Sequence, residues 1–173
     1  MTIKFSARGR SSFGREFSAG GIVIRKKNEI LNPIRQAQGL SEVERQVQDD
    51  IEILLCQHSQ HHGWVFPKGL IGDNIENESK EATALREVKE ETGVVAKIIH
   101  PLSPVTYWYV FEGEKIRKTV YYFLMEYVSG DIKNHDFEME NVEWLSVEEI
   151  EERLTYPSDK KVWKEAKKLI ANF

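Results

Sequence analysis

The chain has 173 residues, a formal charge of −4, 40% apolar and 30% charged residues, and one cysteine, Cys56. That size fits one domain with its own core, and the acidic balance excludes a bulk electrostatic affinity for nucleic acid or membrane. A lone cysteine excludes an intrachain disulfide and suits a reducing cytoplasm, where this chain is expected; no apolar run reaches the roughly 18 residues of a membrane span, and the N-terminus lacks the apolar centre of a secretory signal.

Residues 1–16 read as a polar arm whose Arg8, Arg10 and Arg15 belong to a loose terminus or reach for an anion. Residues 17–26 read as a strand, with Gly20-Gly21 allowing close backbone approach. Residues 27–50 are polar and too long for an ordinary hairpin connection. Their sequence, Pro33 to Arg45, is similar to translated bacterial palindromic repeats, so a tolerated insertion is expected there. Residues 52–57 read as the next strand. His58, His61 and His62 crowd the following loop and read as loop histidines, or as contacts to a leaving group, rather than a metal set.

A helix is expected from 77–79 to Thr92, stopped by Gly93, with Ala82, Leu85 and Val88-Lys89 as its inner edge and the acidic residues on another face. Residues 94–101, 104–112 and 117–128 read as strands, with a turn over 111–115. Residues 142–145 read as a short strand. Ser146 and Glu149 form a capping box for a helix to Leu154, and a last helix begins near Ser158 with Val162, Ala166, Leu169 and Ile170 inward. Strands around one helix, then two helices, give a mixed α/β layered domain over 17–173.

Within the first helix, Glu87, Glu90 and Glu91 stand at i, i+3 and i+4 and share a face. Like charges at that spacing repel, and a hard divalent cation with oxygen ligands, Mg²⁺ first and Mn²⁺ second, converts the repulsion into a site. The alternative is a solvated acidic face. Around them runs Gly72-x5-Glu78-x7-Arg86-Glu87-Val88-x-Glu90-Glu91-x-Gly93-Val94. This fills every fixed position of the Nudix box, so the chain resembles the Nudix hydrolases. Ser18 to Ile24 resembles the family's first core strand, and Trp64-Val65-Phe66-Pro67-Lys68-Gly69 its approach to the box.

The resemblance implies a Nudix α/β/α sandwich with a mixed central sheet. It also implies metal ligands at Glu87, Glu90 and Glu91, with the Gly69 carbonyl as a further ligand, and an orienting Arg86 partnered by Glu78. Gly69 precedes Glu78 by nine residues, where many relatives with Pro-Lys-Gly have six, so the path of that loop is open. Glu138, six residues before Trp144 as in the diadenosine tetraphosphate hydrolase branch, is the candidate general base, with Glu140 second. Lys68 is read as a phosphate contact, against a plain surface lysine. Among the strand aromatics, Tyr107, Tyr109 and Tyr122 are candidates for the substrate, and Lys118 belongs to a basic cluster with Lys115 and Arg117.

The function implied is metal-dependent cleavage of a nucleoside diphosphate linked to another group. A dinucleoside polyphosphate such as diadenosine tetraphosphate is the first choice. A nucleoside triphosphate, a modified nucleotide or a diphosphoinositol polyphosphate are alternatives. A nucleotide-sensing domain without catalysis usually loses box carboxylates, and this chain keeps them all. No nucleic-acid or membrane partner is expected, and the sequence leaves the oligomeric state open.

Overall fold

The computed structural model describes residues 14–27 and 51–171. The expected arm and insertion therefore lie outside the described residues, apart from their edges. The order is β1 (Arg15–Lys26), β2 (Ile51–His58), β3 (Trp64–Val65), β4 (Lys68–Leu70), α1 (Lys80–Thr92), β5 (Val94–Pro101), β6 (Val105–Phe111), β7 (Glu114–Gly130), a 3-10 turn (Ile132–Asn134), β8 (Met139–Ser146), α2 (Val147–Arg153) and α3 (Pro157–Ile170). The strands form one eight-stranded mixed sheet with the path β3-β2-β1-β7-β5, to which β4 adds on β1, β6 on β7 and β8 on β2. Only the β1–β7 pairing is parallel.

Period-two alternation divides each strand between two cores. Ala19 and Val23 of β1, with Phe123 and Met125 of β7, meet Ala84 and Val88 of α1. Ile22 and Ile24, with Tyr122 and Leu124, meet Ile150 of α2 and Val162, Trp163 and Ala166 of α3. The sheet is thus sandwiched between helices, as expected. No helix among the described residues is long and apolar enough to cross a membrane.

Several boundaries differ from expectation. β1 begins at Arg15, two residues into the expected arm, because it runs alongside β7 from Arg15–Arg117 onward. The short strands β3 and β4 lie in the segment read as the approach to the box. α1 starts after the Ser79 cap and ends at Gly93, in the left-handed conformation at φ 73°. Its inner edge differs from the expected one: Thr83, Ala84, Val88 and Thr92 are buried while Ala82 and Lys89 are exposed. The Ser146–Glu149 capping box is present.

Gly20 and Gly21 do make the close approaches their sequence suggests. A Cβ on Gly20 would overlap the Pro67 carbonyl oxygen and approach the Lys68 Cβ to 2.6 Å. Gly20→Ala should therefore push β4 away from β1 and cost about 1–3 kcal/mol of stability, read as a lowered urea midpoint.

Candidate active site

The site is built on α1 and the loop leading into it. Ser79 Oγ accepts the Ala82 N–H at 3.1 Å and fixes the helix start. From there Arg86 gathers four carboxylates. Its Nε donates to Glu78 Oε1 at 3.0 Å, and its Nη2 donates to Glu78 Oε2 at 2.9 Å and to Asp73 Oδ1 at 3.2 Å. Its Nη1 donates to Glu87 Oε1 at 2.6 Å and to Glu90 Oε2 at 3.0 Å. One planar fork, suited to such multiple contacts, therefore ties the 71–79 loop to the helix. Burial works against the guanidinium charge, but Glu78, Glu87 and Glu90 outweigh it and raise the Arg86 pKa. Its hydrogen bonds in turn hold the Glu78 carboxyl below the ordinary value, with help from the Thr83 hydroxyl.

Glu87 and Glu91 are not on a solvated face: they are 7% and 6% exposed. Only Glu90 of the three keeps substantial exposure, with 48% of its side chain open. Burial pushes the Glu87 carboxyl up to about 7 although Arg86 pulls it down. Burial also pushes Glu91 well up, against the pull of Lys68. The Lys68 backbone N–H donates to Glu91 Oε2 at 2.9 Å. The Glu87 carboxylate lies against Gly69, where an added Cβ would overlap it. The longer loop between Gly69 and Glu78 therefore still brings that backbone to the acidic helix: β4 continues on β1 through the Ile71 N–H, which donates to the Phe17 carbonyl at 2.9 Å.

The oxygen donors that would hold a hard cation here are the carboxylates of Glu87, Glu90 and Glu91 and the backbone beside Gly69. Among the described residues, no three acidic, histidine or cysteine side chains are already gathered at metal-ligating distance. Glu87 and Glu90 are turned onto Arg86, and Glu91 onto Lys68.

The two candidate bases occupy different surroundings. Glu138 sits on a turn pinned from both sides: the Ser59 N–H donates to the Glu138 carbonyl at 2.9 Å, and the Asp136 N–H donates to the Glu90 carbonyl at 3.2 Å. Partial burial, then Asp136, Asp73 and Glu90, raise the Glu138 pKa. Glu140 is paired with His62 Nδ1 at 2.9 Å. The other loop histidines also have partners. His58 and His61 stack with centroids 4.3 Å apart, and the Tyr156 hydroxyl lies 3.0 Å from His61 Nδ1.

The remaining candidates converge on the sheet face toward α3. Gly20 pairs with Lys68 on one side and Tyr122 on the other. Glu16 pairs with Lys118, which pairs with Tyr107. Lys118 Nζ is 3.7 Å from Glu16 Oε2, and the Tyr109 hydroxyl donates to the same oxygen at 2.6 Å. Burial and the neighbouring Lys68 lower the Lys118 pKa. Burial opposes the Lys68 charge too, but Asp159, Tyr107 and Glu91 raise its pKa overall.

Neither Asp159 nor Trp163 stands out in the sequence as a site residue. Asp159 is 2% exposed and accepts the Tyr122 hydroxyl at 2.7 Å. Four residues on, the buried Trp163 Nε1 has no hydrogen-bond partner, and neither has Ser18 Oγ. The available signal is positional: Asp159 stands one turn before Trp163 on the stripe that continues through Ala166 and Ile170, where a charge must be partnered.

The NUDIX domain model matches residues 43–173. The chain is 36% identical over 108 residues to the putative mutator protein MutT4 of Mycobacterium tuberculosis, a match covering 62% of this chain and 42% of that protein. It is 36% identical over 106 residues to the asymmetrical bis(5′-nucleosyl)-tetraphosphatase of Rattus norvegicus, covering 57% of this chain and 67% of that protein. The chain thus spans less than half the length of the first of these relatives. The Ap4A hydrolase of C. elegans, solved as a binary complex, superposes with a TM-score of 0.61 at 23% identity, covering 91% of this chain and 99% of that one. At that identity the likeness establishes the fold.

Proposed function

This chain belongs to the Nudix family, and we propose that it is a divalent-cation-dependent pyrophosphohydrolase that cleaves a nucleoside diphosphate linked to another group, with a dinucleoside polyphosphate such as diadenosine tetraphosphate as substrate. The observation that carries this reading is the pair of buried carboxylates, Glu87 and Glu91, the second of them within electrostatic reach of two partly buried ammonium groups, Lys68 and Lys118. Buried carboxylates with raised pKa values lack full compensation of their charge. Their hard oxygen donors and the Gly69 backbone fit Mg²⁺ or Mn²⁺, once Glu87 and Glu90 turn from Arg86. A bound divalent cation neutralises phosphate oxygens and makes water more acidic.

The chain's own residues do the rest. Arg86 orients the carboxylates. Glu138 takes the proton of the attacking water, and its raised pKa brings it nearer the operating pH that favours a general base. Lys68 and Lys118 hold the phosphates, and the half-buried Tyr107 and Tyr109 stand beside them; Tyr122, expected from the sequence to meet substrate, is instead 1% exposed in the core with its hydroxyl on Asp159. Glu140 is the weaker candidate base because His62 already engages it. The asymmetrical tetraphosphatase among the relatives supports the same substrate class.

A second reading, a nucleoside triphosphate as substrate, is supported by the 31% identity over 112 residues to the 8-oxo-(d)GTP phosphatase of Mycolicibacterium smegmatis. The test is phosphate release, after coupling to a phosphatase, from a panel of nucleoside triphosphates and dinucleoside polyphosphates, with and without Mg²⁺. Turnover of diadenosine tetraphosphate that needs Mg²⁺ and disappears in Glu91→Gln is expected. Turnover confined to triphosphates would select the second reading, and metal-independent turnover would overturn both.

A further inference from the structure

Phe137 is 90% exposed, more than any other large apolar side chain among the described residues. A single exposed aromatic residue is ordinary on a surface, so its setting decides its meaning. The backbone that carries it is fixed. Asp136 N–H reaches the Glu90 carbonyl at 3.2 Å, and the Ser59 N–H reaches the Glu138 carbonyl at 2.9 Å. The Glu138 N–H closes onto Asp136 Oδ1 at 3.0 Å, and His135 Nδ1 lies 2.8 Å from the Asp136 carbonyl. Met139, two residues on, is buried in the core. The turn is thus clamped between the acidic helix and the 58–63 hairpin, and it displays one phenyl ring to solvent beside Glu90 and Glu138.

The surroundings select what that ring meets. Asp136, Glu138 and Glu140 make the turn acidic, and they repel a leaving group dense in phosphates such as a diphosphoinositol polyphosphate. A flat neutral base suffers no such repulsion. Stacking on an aromatic side chain needs only a π face and discriminates little among bases. The other exposed aromatics stand elsewhere: Phe17 on β1, Trp108 on β6, and Tyr156 against His61.

Resting on the function proposed above, we infer that Phe137 is a specificity residue: it stacks on the second nucleobase of a dinucleoside polyphosphate, outside the scissile bond. It gives the enzyme a preference for two nucleosides over one. No step of the hydrolysis passes through it, so its loss changes affinity and leaves the machinery of Glu87, Glu91 and Arg86 in place.

The experiment is calorimetric binding, with Mg²⁺ present, of two uncleavable methylene-bridged ligands: diadenosine tetraphosphate and adenosine tetraphosphate. Wild-type protein should bind the dinucleoside ligand more tightly by roughly five- to a hundredfold, the range that one stacked base supplies. Phe137→Ala should erase that preference and leave the mononucleoside affinity unchanged, while Phe137→Trp should keep it. Equal affinity of the wild type for both ligands, a preference that survives in Phe137→Ala, or equal weakening of both ligands would overturn the inference alone. Binding of neither ligand by folded protein would overturn the proposed function, and this inference with it.

Discussion

Replacing Arg86 by alanine is expected to cost about 3–5 kcal/mol of folding stability, the loss seen when one partner of a buried ion cluster is removed. The size follows from what is left behind. Glu78 keeps only 5% of its side chain exposed and Glu87 only 9%, and both would be without the guanidinium that holds them. Asp73 would also be released, so the 71–79 loop would lose its tie to α1. Arg86→Lys keeps the charge but cannot reach Glu78, Glu87 and Glu90 from one planar fork, so it should recover only part of the loss. The pH dependence separates this account from general damage. Glu78 has a folded pKa below its unfolded value of 4.5. Its contribution is therefore present above that value and lost as pH falls through the lower folded pKa. Urea titrations of wild type should show that acid loss, and Arg86→Ala should show it weakened, because Glu78 no longer has its partner. An unchanged midpoint in Arg86→Ala would mean that the cluster contributes no stability.

Much of this arrangement is legible in the amino-acid sequence. The α1 boundaries are set by local chemistry, Ser79 as a cap and Gly93 as a stop, and such signals do not depend on the rest of the chain. The Arg86–Glu78 pairing is implied by the Nudix resemblance. The burial of Glu87 and Glu91 is not, because helix periodicity places them on a face but cannot say what covers it; β4 and Gly69 cover it, and that is a tertiary fact. Asp159 is hidden for a related reason. Its partner Tyr122 lies 37 positions away in sequence, and one charge on an apolar stripe is visible only as an exception to the pattern. The register that places Lys68 and Tyr122 on either side of Gly20 depends on three strands meeting, and no local window contains it.

A large effect on activity is also expected at Glu87, and its sign on stability is opposite to that at Arg86. Burial lifts the Glu87 carboxyl to about 7 in the folded protein, above its ordinary value of 4.5. A carboxyl raised on folding destabilises the native state as pH climbs from its unfolded value toward the folded one, and the penalty is complete above both. From the size of the shift, the penalty at neutral pH without metal is on the order of 3 kcal/mol. Glu87→Gln removes the charge while keeping the shape, so the metal-free protein should be more stable than wild type at pH 8 and little different at pH 4. On the function proposed above, Mg²⁺ would bind only the folded state of the wild type and stabilise it by mass action. It should raise the wild-type melting temperature at pH 8 and leave Glu87→Gln nearly unmoved. Turnover should fall roughly 100- to 1,000-fold in the variant, the scale for loss of one preorganised electrostatic group. The two readouts then move in opposite directions from one substitution, which damage to the fold cannot produce. Should Glu87→Gln instead lose stability at pH 8 without metal, the carboxylate would be serving Arg86 as a structural partner, and the cation would have to be held by Glu90 and Glu91.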